Sequence, residues 1–429
     1  MPSHPPILYD TIIVGSGPGG ATVARELTRF GQKVLILEQG AAAPFTGTLG
    51  QMIRMAAVPG KGAYFNQDAS LLVCGITAGG SSAVNFATAM APPLPLFAAY
   101  GIDLQAPLAA LRQELPMAPL PDTLIGPMAT RLLQAARALG HDWQKLDKMI
   151  YPDQCRTGCW RCLYGCPFGA KWSARNFLDQ AVAGGASLLA EAKVHRVLVT
   201  HGRASGVEFV RHGQTQQVNA RCVVLAGGGI GSPRLLHASG LATDGARHFT
   251  DPVIAVMGSV PDIDGGAEVP MAAGMHLADE GITLADLTLP RSMYQAFAAQ
   301  VGRFDRLLAH RQTLTLMVKI RDQLGGHIGP HWVNKTLQPE DKQKLQQGVA
   351  LAKGILREAG AKQLFQSWHF AAHPGGSVRI GEGVDSNLKT ATENLFVCDA
   401  SVIPEPWGLP PTLTLLCLGK RLAAHLNEL

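Results

Sequence analysis

The run Gly15-Ser16-Gly17-Pro18-Gly19-Gly20 constrains this chain more than any other segment, because of what flanks it. Before it, Tyr9-Asp10-Thr11-Ile12-Ile13-Val14 is a short β-rich apolar run. After it, Ala21, Val23, Ala24 and Leu27 supply a small apolar helix face, and Gly31 stands where a helix stop belongs. Val34-Leu35-Ile36-Leu37 is a second strand pattern, ending at Glu38. Strand, glycine turn, helix and strand with a terminal acid form a dinucleotide fingerprint. Gly15 makes the tight turn, Gly17 lets a phosphate approach the backbone, and Gly20 lets helix and strand pack closely. Glu38 can accept from both ribose hydroxyls, which favours an adenosine without a 2′-phosphate. An α/β fold holding a redox nucleotide is expected.

A second feature adds chemistry. Four of the eight cysteines, Cys155, Cys159, Cys162 and Cys166, fall within twelve positions, and Pro167 follows the last. Thiols crowded this closely bind a metal or pair as disulfides; an iron–sulfur cluster, zinc and two disulfides all remain open. The C-x3-C-x2-C-x3-C-P spacing is near, but not identical to, that of ferredoxin-like loops. Arg156, Arg161, Lys171 and Arg175 surround it with Asp153 as the nearby acid, which suits an anionic cluster. Cys74, Cys222, Cys398 and Cys417 are scattered singly and read as buried thiols.

With 429 residues, 47 % hydrophobic and 16 % charged, the chain is expected to be globular with two domains. A formal charge of +5 without a Lys/Arg block gives no sign of a nucleic-acid partner. No apolar run is long enough to span a bilayer, and Met1-Pro2-Ser3-His4-Pro5-Pro6 lacks a signal pattern. A cytoplasmic location is expected, although export with a signal-bearing partner would leave no trace.

Strand patterns recur at 194–199, 206–210 and 222–225, and a Gly227-Gly228-Gly229 turn then opens a helix at Ser232-Pro233. From about 246 the grammar changes. Thr313 to Ile320 alternates, with Leu314, Leu316, Val318 and Ile320 on one face, as in a half-solvated antiparallel strand. Ile282 to Leu289 reads similarly. A long helix is expected from Pro339 to Ala359, and strand, proline-rich loop and helix return after 385. The expected division is a discontinuous nucleotide domain, 1–245 and 367–429, with a cysteine insertion at about 150–175. A smaller α+β substrate domain, 246–366, would be built on an antiparallel sheet.

Three further stretches resemble the glucose–methanol–choline (GMC) flavin oxidoreductases. Gly79-Gly80-Ser81-Ser82-Ala83-Val84-Asn85 resembles the family's first signature, and Gly231-Ser232-Pro233-Arg234-Leu235-Leu236-His237-Ala238-Ser239-Gly240-Leu241 its second. Asn394-Leu395-Phe396-Val397-Cys398-Asp399-Ala400-Ser401, with Pro411-Thr412-Leu413-Thr414, resembles its C-terminal flavin box. The resemblance implies a Rossmann-like FAD-binding domain and a buried FAD. It carries cofactor contacts onto Gly15, Ser16, Gly17, Pro18, Gly20, Glu38, Gln39, Gly79, Gly80, Ser81, Asn85, Val194, Ala226, Gly227, Asp399, Ala400, Pro411, Thr412 and Leu413. Asp399 would hold the ribityl chain, the Thr412-Leu413 backbone would face the pyrimidine ring, and Asn85 and the Gly79-Gly80-Ser81 turn would lie near the reactive edge.

His373, in His373-Pro374-Gly375-Gly376-Ser377, resembles the family's active-site histidine, a base whose pKa lies near working pH. A metal pair with His369 is rejected, because Pro374-Gly375-Gly376 argues against a helix there. Two departures stand out. Pro410 occupies the neighbourhood where most members carry a second His or Asn, so Asn85, His369 or Glu405 would have to substitute. The chain is also short for the family. The cysteine run resembles the cluster segment of flavin–iron–sulfur dehydrogenases in this family, which implies a 4Fe–4S cluster in preference to 3Fe–4S. The preferred expectation is an FAD dehydrogenase acting on a hydroxyl-bearing organic substrate. His373 would be the base and Asn85 would assist, with electrons leaving through the cluster to a protein or quinone. An oxygen-using alcohol oxidase with structural cysteines, a reductase of an activated C=C or C=O bond, and a non-catalytic electron-transfer subunit are the alternatives.

Overall fold

A computed structural model describes residues 9–68, 70–241 and 246–429; the domain boundary expected at 245 and the Met1–Pro6 segment lie outside them. Two sheets organise the described residues. In the first, Ser187–Leu189, Val34–Leu37, Tyr9–Val14 and the second half of Gln214–Leu225 run parallel, with Leu395–Val397 at the far edge. The first half of Gln214–Leu225 then pairs antiparallel with Arg203–Arg211, which pairs with Ala192–Thr200. The parallel strands are continuous apolar runs because helices cover both of their faces. Ala21, Val23, Ala24 and Leu27 on the helix Pro18–Arg29 are fully buried. This helix packs on Thr412–Asn427 and Ala174–Ala183. Truncating Leu27 to Ala would cost about 3 kcal/mol.

The second sheet runs Ala63–Phe65, Leu71–Val73, Phe370–Ala371, Val253–Ser259, Thr313–Ile320, Ile282–Asp286, Ala273–Leu277, Gln144–Lys145, with Lys362–Gln366 also on Val253–Ser259. It therefore takes strands from outside the 246–366 segment. The long helix spans Pro339–Glu358 and sets Leu345, Val349, Ala352 and Leu356 against Leu314, Leu316, Val318 and Ile320.

Three local expectations are corrected. The strand expected over Ile282 to Leu289 spans Ile282–Asp286 and is wholly buried. Thr313–Ile320 is antiparallel as its pattern suggests, but all eight residues are buried, so it is not half-solvated. Its second face carries Met317, which packs with Met257, Ala285 and the Tyr294 and Ala298 side chains of the helix Arg291–Gln300. Lys319 lies on that same buried face. The helix expected at Ser232-Pro233 instead spans Gly228–Ala238, with Pro233 inside it. Proline has no N–H for the carbonyl four residues back. That carbonyl, Gly229 O, accepts from Ser377 Oγ at 2.7 Å.

Candidate active site

The two glycine turns meet each other. Gly15 has φ +103°, and a Cβ there would come within 2.3 Å of Ala226 O. A Cβ on Gly20 would lie 2.2 Å from Gly15 O and 2.8 Å from Ala226 Cβ, so close helix–strand packing leaves no room for a side chain. Gly17 is the opposite case: a Cβ there would meet nothing within 4 Å. Pro18–Arg29 begins at Gly17 with no side-chain cap, leaving its first N–H groups free for an anion. Gly80 lies against Gly17, where an added Cβ would come 2.8 Å from Gly17 Cα, and Gly79 N donates to Ser16 Oγ at 3.1 Å.

Glu38 braces this cradle. Its Oε2 accepts from Ser16 N at 3.0 Å and Ser16 Oγ at 2.6 Å, and its Oε1 from Gly40 N at 2.7 Å. Of a carboxylate's about four acceptor sites, one stays open to a ribose hydroxyl. Burial raises the pKa of Glu38 against these hydrogen bonds. Gln39 is exposed beside it, and Val194 is buried in the strand whose Ala192 N donates to Glu38 O at 2.9 Å. Asp399 is also committed to protein donors: Gly228 N and Ser232 Oγ at 2.8 and 2.5 Å, and Ser401 N and Oγ at 2.8 and 2.6 Å. Gly227 N donates to Ser232 Oγ at 3.1 Å. The helix Thr412–Asn427 starts at Pro411 without a side-chain cap, with Leu413 buried in its first turn. Asn85 Nδ2 donates to Thr412 Oγ1 at 3.4 Å. The exposed Ser81 accepts from Gly75 N at 2.9 Å.

His373 sits on the seam between the sheets. A Cβ on Gly229 would lie 2.0 Å from Pro374 O, and Gly376 N donates to Ala400 O at 3.0 Å. The His373 ring is about one-quarter exposed, and its Nδ1 lies 3.3 Å from Oδ2 of the fully buried Asp251. Lys319 Nζ stands 3.9 Å from the same oxygen. Burial lowers the His373 pKa, the Asp251 hydrogen bond raises it, and the Lys319 charge lowers it again. Asp251 and Lys319 were not foreseen: Asp251 is 122 positions from His373, and Lys319 occupies the face taken as solvated. His369 is not in a helix but precedes the strand Phe370–Ala371, with Nε2 3.2 Å from Asp68 Oδ2. Glu405 accepts from Tyr100 OH at 3.0 Å. Of the three suggested substitutes for the missing second residue, His369 and Glu405 are thus engaged elsewhere, which leaves Asn85.

The cysteine run lies against the Gly80–Val84 turn. Lys171 Nζ donates to Ala83 O at 2.7 Å, Cys162 O at 2.9 Å, and Ser82 O and Asn85 O at 3.0 Å, tying the cysteine loop to the peptide at Asn85. Lys148 Nζ donates to Pro270 O at 2.9 Å and Met271 O at 3.1 Å. Both lysines are buried, and neither forms a salt bridge among the described residues. Burial pushes each down to about 8, with nearby cysteines working in the opposite direction. All eight cysteines are free, which corrects the disulfide alternative. The expected cluster is not supported either: among the described residues no three His, Cys, Asp or Glu side chains are arranged to hold a metal ion. Burial pushes the Cys155 thiol up to about 11 and raises that of Cys162.

Family profiles described as GMC oxidoreductase match residues 9–255 and 295–419. The chain belongs to the GMC oxidoreductase family. It is an FAD flavoprotein oxidoreductase, with a Rossmann-like FAD-binding domain and a substrate domain. An uncharacterized GMC-type oxidoreductase of Mycobacterium tuberculosis is 29 % identical over 96 % of this chain and 75 % of its own length. Long-chain-alcohol oxidase FAO3 of Arabidopsis thaliana is 24 % identical over 98 % of this chain and 68 % of its own. The crystal structure of pyridoxine 4-oxidase from Mesorbium loti has the same fold, with TM-score 0.76 at 17 % identity, covering 97 % of this chain and 99 % of that one. The open space over Gly17 and the uncapped first turns at Pro18 and Thr412 fit FAD. Among the described residues, no helix of this GMC oxidoreductase is long and apolar enough to cross a membrane.

Proposed function

We propose that this GMC oxidoreductase oxidises a hydroxyl-bearing carbon of a small organic substrate, with His373 as the base. When bound, FAD supplies the hydride acceptor. His373 Nδ1 donates to Asp251, which leaves Nε2 to take the hydroxyl proton. The observation that carries this reading is that pairing: a partly exposed imidazole on the seam, with one nitrogen held by a buried carboxylate. Asn85, tied to Thr412 Oγ1 at the start of the helix Thr412–Asn427, would assist. With Gly80 lying against Gly17, the Gly15–Gly20 turn and the Gly79–Ser81 turn would together hold the pyrophosphate side. Because the Asp399 carboxylate is filled by protein donors, the Asp399-Ala400 backbone would be what holds the ribityl chain. The first sheet, from 1–245 and 367–429, serves the cofactor, and the 246–366 segment serves the substrate. Oxygen as acceptor is supported by relatives named as long-chain-alcohol oxidases and by the fold shared with pyridoxine 4-oxidase.

The test is anaerobic bleaching of the flavin by a panel of primary alcohols, followed by peroxide measurement on admitting air. Bleaching with peroxide matching substrate loss is the expected result; no bleaching by any hydroxyl compound contradicts it. Gly17→Ala should keep its stability within about 0.5 kcal/mol, because its Cβ enters open space, while FAD affinity falls at least about tenfold.

A second reading keeps an iron–sulfur centre on Cys155, Cys159, Cys162 and Cys166, serving an external protein or quinone acceptor. It is favoured by Lys148 and Lys171, two buried cations with no salt bridge beside these thiols. Iron analysis and EPR of anaerobically purified protein decide it. About four irons per chain with a cluster signal support it, and zinc or no metal ends it.

A further inference from the structure

His373 touches a buried charge, and that charge neighbours a second. Asp251 has φ +50°, in the left-handed region where a non-glycine residue is uncommon. Asp322 holds it there, accepting from Thr250 N at 3.0 and 3.1 Å and from Asp251 N at 3.0 Å while pairing with Lys335 at 2.6 Å. The His373 backbone is laddered to the same segment: Phe249 N donates to Gly375 O at 3.0 Å and Gly375 N to Phe249 O at 3.1 Å. Strain of this kind persists where the surroundings over-determine it, and it clusters at functional sites.

Lys319 comes from the facing strand. It is opposite Val253 and Thr283 in the sheet register, on the face away from the helix Pro339–Glu358. Among the described residues its Nζ has no hydrogen-bond partner, and neither does Asp251 Oδ1. Buried polar atoms are rarely left so. An ion pair serving only stability would close to hydrogen-bond distance. Here the gap is 3.9 Å, and Asp251 Oδ2 is left to His373 at 3.3 Å.

We propose that Asp251 and Lys319 are positioning residues that act on His373 from opposite directions: Asp251 fixes which ring nitrogen is free, and Lys319 makes the ring give up its proton more readily. The inference rests on the reading of His373 as the base. The charges around the ring are few. Asp251 and Lys319 face it; Asp322 and Lys335 lie behind Asp251 as a closed pair, and His276 and Arg321 lie beyond Lys319.

The test is the pH profile of flavin reduction by an alcohol in the holoenzyme, read with ring-nitrogen NMR of His-labelled protein. Asp251→Asn keeps a residue suited to the left-handed backbone but removes the anion. Its acid limb should move down by about one pH unit, with the plateau rate falling about 100-fold as the tautomer is lost. Lys319→Met should move the acid limb up by about one unit, with a plateau within about threefold of wild type. NMR should show the His373 proton on Nδ1 in wild type and K319M, and mixed tautomers in D251N. Limbs that move together, or not at all, overturn the inference. Should D251N fail to fold, the upward shift in K319M carries the test alone. His373→Gln separates the two levels: full reduction in that variant sinks the base reading itself, whereas its loss with unmoved limbs in the others sinks only this inference.

Discussion

Lys319 and Lys171 are both buried ammonium groups, each pushed down to about 8 by burial, yet their surroundings are opposite. Lys171 has four backbone carbonyls within 3.0 Å and, among the described residues, no salt bridge. Lys319 has no hydrogen bond among the described residues and a carboxylate at 3.9 Å. Lys171 is a clamp, satisfied by the backbone and joining the cysteine loop to the turn at Asn85. Lys319 is a charge left short of partners next to a group that must exchange a proton. Burial alone does not reveal what a lysine does; the chemistry of its partners does.

The largest effect that would break this contrast is on stability. Lys171→Met leaves four backbone carbonyls, three of them in buried contacts, without their donor and should cost about 3–5 kcal/mol in urea unfolding. A variant as stable as wild type would refute the clamp. A second effect sharpens the contrast through pH. Lys171 has a folded pKa below its unfolded value, so its contribution is full above about 10.5 and is lost as pH falls toward about 8. The stability gap between wild type and K171M should therefore widen from pH 8 to pH 10.5, by about 1–3 kcal/mol. A gap that stays flat means that an anion sits beside the lysine, as a loaded cysteine loop would provide. The smallest effect is at the other site: Lys319→Met loses no hydrogen bond and should cost less than about 1.5 kcal/mol. A loss as large as that in K171M would make Lys319 a structural clamp too.

Much of the cofactor side was legible because its constraints are local. Gly15, Gly17 and Gly20 act within six positions, and Glu38 stands at the end of the next strand, where it braces Ser16. The substrate side was legible only as elements. Thr313–Ile320 was read as a strand with its bounds intact, but alternation cannot tell a solvated face from one buried under another part of the chain, and Lys319 was lost there. Asp251 carried no signal, since its role comes from a contact across 122 positions. The strands Ala63–Phe65 and Leu71–Val73 join the second sheet by pairing with Phe370–Ala371, a closure that local pattern does not encode. The helix Gly228–Ala238 was placed late because Pro233 reads as a first-turn residue, while Ser377 supplies the bond its missing N–H would have made.

The central claim is that an imidazole braced by a buried carboxylate removes the substrate's proton. The measurement that meets it most directly is the anaerobic rate of flavin bleaching by a reactive alcohol, in wild type and in His373→Gln with its flavin still bound. The account predicts a fall of about 100- to 10,000-fold with the flavin spectrum unchanged. Equal rates in the two proteins would contradict it.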